Sequence, residues 1–180
     1  LSAAAAETRE EPAKESALQA EARALAEAQR HLRRAESRIA DLLDPSPSQI
    51  ARALERAWKF LSASRSEDPV LKRAAEWLLD NYYVVRRVAR QVATELPPGF
   101  VRRLPIVTDG PAEGIARIDA LARGILVKRR LEIDVDALRA FLLAYQETSV
   151  LTIAELWALP AMLRISVLHG LLHFLEDLGV

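Results

Sequence analysis

Leu71, Ala74, Leu78, Tyr82, Val85, Ala89, Val92 and Leu96 follow one another at spacings of three or four residues. Only a period near 3.6 residues brings such a series to one face, so the spacing predicts an amphipathic helix over 70–95. Trp77, Val84 and Val88 widen the apolar face and predict a central place in a bundle. Asp68-Pro69 supplies its start, a capping carboxylate followed by proline at the first helical position. Pro97-Pro98-Gly99 stops it.

The same punctuation recurs along the chain. Ser46-Pro47 with Gln49 opens a helix whose apolar side is Ile50, Leu54, Trp58 and Leu61. Asp134 caps a helix carrying Leu138, Phe141, Leu142 and Tyr145; Thr152 and Glu155 form a capping box at the start of the last one. Pro160 is expected to kink or divide that last helix. Upstream, Leu18, Leu25, Leu32 and Ile39 recur every seven residues and predict a long helix over 14–43. Its stripe suits packing within the chain, with self-association as the alternative. From Phe100 to Gly114 no helical period persists, and Pro105, Gly110, Pro111 and Gly114 predict an irregular connection of the kind that often serves docking.

No strand is predicted. The fold class is all-α, a multi-helix bundle with a long N-terminal helix and a proline-kinked C-terminal helix. Residues 1–13 are read as a flexible leader, 14–66 as an N-terminal helical hairpin, and 67–180 as a bundle packed on it.

Charge and composition narrow the function. Lys and Arg total 25 and Asp and Glu total 25, a balance that argues against nucleic acid as a partner. The absence of cysteine excludes thiolate ligands, thiol nucleophiles and disulfides. The most apolar window, Leu156 to Phe174, contains Pro160, Arg164, His169 and His173, which favours a core helix over a membrane span.

Candidate chemistry is sparse. His169 and His173 share a helix face at zinc-ligand spacing, but Gly170-Leu171-Leu172 between them lacks the glutamate of a His-Glu-x-x-His site. Glu147 and Glu155 flank a turn, yet Glu155 is already committed to a capping box and makes a poor general acid. No nucleophile elbow, phosphate loop or dinucleotide fingerprint occurs. No catalytic residue, cofactor or metal is therefore assigned. Tyr145, Gln146, Glu147, Glu155, Trp157 and Arg164 are expected to build a polar network at the turn and kink. Arg164 should there meet Glu155, Glu147 or helix-terminal carbonyls, because a buried unpaired guanidinium is costly. Trp77, Tyr82, Phe100, Arg102, Arg103, Lys128, Arg129 and Arg130 are candidates for docking to other domains, an anionic membrane surface or a glucan.

Four stretches resemble the region that precedes the transferase module of cyclic β-1,2-glucan synthases. They are Trp77-Leu78-Leu79-Asp80-Asn81-Tyr82; Leu96-Pro97-Pro98-Gly99-Phe100 with Leu104-Pro105; Gly110-Pro111 with Gly114, Arg117 and Ile118; and Ala144-Tyr145-Gln146-Glu147 followed by Leu151-Thr152-Ile153-Ala154-Glu155-Leu156-Trp157-Ala158-Leu159-Pro160. The chain departs from that pattern at Ala116, where the family carries proline, and at Ala154, where it carries glycine. The resemblance implies a segment of a large bacterial inner-membrane protein that makes cyclic β-1,2-glucan from UDP-glucose, with its transferase and phosphorylase-like catalytic residues elsewhere. This segment would then be non-catalytic, a structural or docking piece on the cytoplasmic side. A glucan-binding module and a self-associating scaffold are the alternatives.

Overall fold

A computed structural model of the chain describes residues 17–34, 43, 45–64, 67–128 and 134–180. Residues 17–28 form α1, followed by β1 (Leu32–Arg34), α2 (Pro47–Ala63), α3 (Pro69–Glu95), α4 (Pro98–Val101), β2 (Pro105–Val107), α5 (Arg117–Lys128), α6 (Val135–Thr148) and α7 (Ile153–Asp177). The architecture is all-α with one minor two-stranded ribbon.

The helix starts are chemical and local. Ser46 and Thr152 each make a full capping box, with Gln49 and Glu155 closing the return bond. The Asp68 carboxylate accepts the Val70 and Leu71 amides, and Asp134 accepts that of Asp136. Each arrangement satisfies amides that the first turn leaves without an intrahelical partner.

α3 packs on both α2 and α7, which also touch each other, and its buried residues are Leu78, Val85, Ala89 and Val92. α2 contributes Ile50, Leu54, Ala57 and Leu61, and the half-buried Trp58 stacks on Tyr82 with ring centroids 5.0 Å apart. α7 is the core helix, burying Leu159, Met162, Ile165, Leu168 and Leu172 among others. By length and composition it could cross a membrane, yet 56% of its most apolar window is buried within the bundle. It runs unbroken through Pro160, which sits on its exposed side.

Two expectations are corrected. The long helix predicted over 14–43 ends at residue 28, and Leu32–Arg34 is extended. The heptad stripe Leu18, Leu25, Leu32, Ile39 is therefore not a continuous helical seam, and the self-associating coiled coil built on it loses its geometry. Tertiary pairing outweighs the helical pattern: β1 runs antiparallel to β2 with Arg33 opposite Ile106, and the His31 carbonyl accepts the Thr108 amide. Ile39 itself lies outside the described residues. The stretch from Phe100 to Gly114 is likewise ordered by α4, β2 and a 3-10 turn at Gly110–Ala112. Gly110 and Gly114 have φ of 73° and 82°, a region that favours glycine. Those two bends fold the turn so that the Gly114 amide reaches the Val107 carbonyl at 2.9 Å.

Candidate functional site

The deepest charged cluster joins α5 to the α6–α7 turn. Arg117 is 2% exposed and Glu155 is fully buried. The Arg117 Nε donates to Glu155 Oε1 at 2.7 Å, and its Nη2 donates to Oε2. Its Nη1 donates to the Ser149 hydroxyl at 2.7 Å, and Nη2 also reaches the Val150 carbonyl at 3.0 Å. Glu155 Oε2 accepts further bonds from the Thr152 amide and hydroxyl, each at 2.8 Å. The fork of a guanidinium matches a carboxylate at two points, and both terminal nitrogens of Arg117 also serve the α6–α7 turn. The pair fastens three elements: the start of α5, the end of α6 and the first turn of α7.

A second buried bond lies nearby. The Tyr145 hydroxyl donates to Gln29 Oε1 at 2.8 Å, pinning α6 to the end of α1. Burial pushes the Tyr145 phenol up to about 12. Because this folded value stands above the unfolded value of about 10, its stabilising contribution is complete below pH 10. It is lost as pH rises from 10 towards 12. Absorbance near 295 nm should show a late tyrosine ionisation that coincides with unfolding and vanishes in Tyr145→Phe. Ionisation of all three tyrosines below pH 11 would contradict this. On α5, burial also raises the Asp119 carboxyl, opposed by its 2.7 Å bond from Arg123.

The remaining predicted residues are dispersed. Arg164 pairs with Glu95 across α7 and α3 at 2.6 Å, half-exposed, and not with Glu155 or Glu147. Glu147 instead accepts Arg23 at 2.7 Å on the surface, Gln146 is half-buried, and Trp157 is 80% exposed. Sequence reasoning about the turn thus found Glu155 and missed Arg117 as its partner. The available signal was Arg117 and Asp119 standing in the apolar series Ile115, Ile118, Leu121 and Ala122. His169 and His173 have ring centroids 4.4 Å apart, and His173 meets Glu176 at 3.2 Å. Among the described residues no three His, Asp or Glu side chains gather as a metal site.

Of the docking candidates, Phe100 is half-buried against the core, Tyr82 is engaged with Trp58, and Arg102 and Arg103 are exposed. Lys128 closes α5, while Arg129 and Arg130 lie outside the described residues. Trp77 is 52% exposed, more than its place in the helical series suggests. It lines an apolar groove of about 700 Å³ between α3 and α7, with Val84, Val88, Leu171 and Phe174. A neighbouring hollow of about 420 Å³ shares Trp77, Leu171 and Phe174 and extends the groove towards Val70.

Fold and site together define a mostly helical bundle with a buried Arg117–Glu155 pair and, among its open features, an apolar groove between α3 and α7. No family model matches the chain. It resembles the cyclic beta-(1,2)-glucan synthase NdvB of Rhizobium meliloti (strain 1021), with 32% identity over 116 residues, 64% of this chain. The match spans only 4% of that protein's length.

Proposed function

We propose that the chain is a non-catalytic structural and docking segment of a large bacterial membrane glycosyltransferase that makes cyclic β-1,2-glucan from UDP-glucose, placed on the cytoplasmic side of the inner membrane. Its α3–α7 groove takes an apolar helix from elsewhere in the same polypeptide. The observation that carries this reading is the groove itself. Trp77 and Phe174, about half exposed, line a trough whose other walls are almost wholly aliphatic. Contiguous exposed apolar surface of this kind marks an interaction site. α3 and α7 run antiparallel, with Val70 beside Leu175 and Glu95 beside Arg164, and an apolar furrow between two such helices accepts a third amphipathic helix.

Two further facts favour a partner within the same chain. The similar stretch of the curated relative is a small fraction of a much longer protein. A covalently tethered helix meets the groove at high effective concentration, so a modest apolar area suffices. A glucan fits this groove poorly: hydroxyls need polar partners, and its guanidinium at Arg164 is already held by Glu95.

The test replaces Trp77→Ser and Phe174→Ser together in the complete reading frame. β-1,2-Glucan synthesis by membranes should fall at least about tenfold, as expected when central aromatic anchors are removed. The 180-residue chain carrying the same changes should remain folded by circular dichroism, so that a loss of synthesis reads on docking and not on collapse of the bundle. Unchanged synthesis would remove the docking assignment, and turnover of UDP-glucose by the 180-residue chain alone would remove the non-catalytic one.

A further inference from the structure

On another face of α3, α2 and α3 enclose a second groove of about 640 Å³, which shares only Val85 with the α3–α7 groove. We infer that this groove is a binding site for a phosphoryl group attached to a ring or apolar body, held by Arg52, Arg86 and Arg90 against the Trp58–Tyr82 wall. This is independent of the α3–α7 groove and of the docking reading.

The three arginines come together by helical spacing. Arg86 and Arg90 stand one turn apart on α3, and Arg52 faces them from α2; all three line the groove. Among the described residues none of the three has a carboxylate within ion-pair distance. Glu55, the one acidic residue on the lining, bonds Lys59 at 2.8 Å and also feels the charge of Arg86. The lining thus carries three positive charges against one negative, and an anion seated between the guanidiniums offsets the excess. The planar donor fork of arginine suits the tetrahedral oxygens of phosphate better than a single point charge does. Pro47 and Ser48 of the first α2 turn reach the same groove, adding the positive end of a seventeen-residue helix.

The rest of the lining decides what the phosphoryl group is attached to. Trp58 and Tyr82 stack at 17° between planes and leave an apolar wall with Ala51, Val85 and Ala89. A bare inorganic ion would leave that wall unused. A phosphate ester with a flat ring fills both parts, and so does a phospholipid headgroup whose glycerol and first acyl carbons lie on the wall. The chemistry is shared and the source is for experiment to separate.

Isothermal titration of the full 180-residue chain at low ionic strength with phenyl phosphate and with inorganic phosphate tests the soluble source. Sedimentation with phosphatidylglycerol vesicles against phosphatidylcholine vesicles tests the lipid source. Phenyl phosphate should bind more tightly than inorganic phosphate. Arg86→Gln with Arg90→Gln should weaken binding by roughly tenfold or more, and added salt should weaken it further. Arg87→Gln, an exposed arginine that does not line the groove, is the control and should leave binding unchanged. Binding confined to phosphatidylglycerol vesicles, and lost in the double variant, would support the site and assign it to a headgroup. Failure of both probes, or equal weakening by Arg87→Gln, would overturn it. Arg86 and Arg90 are exposed, so circular dichroism should show both variants folded.

Discussion

Arg117→Met should lower the folding free energy by about 3–5 kcal/mol, the usual cost of removing one partner from a buried ion pair. In a domain of this size that corresponds to a fall on the order of 10 °C in melting temperature. The cause is the carboxylate left behind. Glu155 is fully buried, and without Arg117 it keeps only the Thr152 amide and hydroxyl to balance its charge. Ser149 and the Val150 carbonyl also lose their buried donor, so the α6–α7 turn loosens along with the ion pair. Glu155→Leu added to Arg117→Met should recover part of the loss, since an apolar pair leaves no buried charge. Recovery should be incomplete, because the capping box at Thr152 goes with Glu155 and a lost cap costs about 1 kcal/mol. Urea unfolding of the two single variants and the double variant gives the cycle. A loss below about 1 kcal/mol in Arg117→Met would mean that the charge is not buried as described.

Most of the helices were legible because their determinants are local. Capping at Ser46, Asp68, Asp134 and Thr152 needs only a side chain and an amide two or three residues on, and all four form. The buried faces of α2 and α3 follow from side-chain period alone. What escaped was set at long range. Nothing in residues 29–34 forbids a helix; the strand exists because Pro105–Val107 offers a partner about seventy residues away. Arg117 and Glu155 are 38 positions apart, and no periodic rule connects them. Their selection becomes visible only as charge embedded in apolar seams. Trp157 could have been placed from spacing: Glu155, Ala158, Leu159 and Met162 make one buried face, and a residue two past Glu155 points away from it.

The same reasoning separates two neighbours on α3. Leu78 is fully buried in the core of the bundle, whereas Trp77 beside it is 52% exposed in the groove. Leu78→Ala should cost about 3 kcal/mol, within the 2–5 kcal/mol range for truncating a buried leucine, because helices held on both sides cannot collapse into the space. Trp77→Ala removes a far larger side chain yet should cost less, about 2 kcal/mol or below, since half of that residue is already in water and only about 100 Å² of it is buried. Size and cost therefore run in opposite orders. That inversion is what an unfilled docking face predicts, and what a tryptophan working as core would contradict. Chemical unfolding of the two variants side by side decides it. Trp77→Ala as damaging as Leu78→Ala would place the indole in the packing of the bundle and leave the α3–α7 groove without its principal anchor.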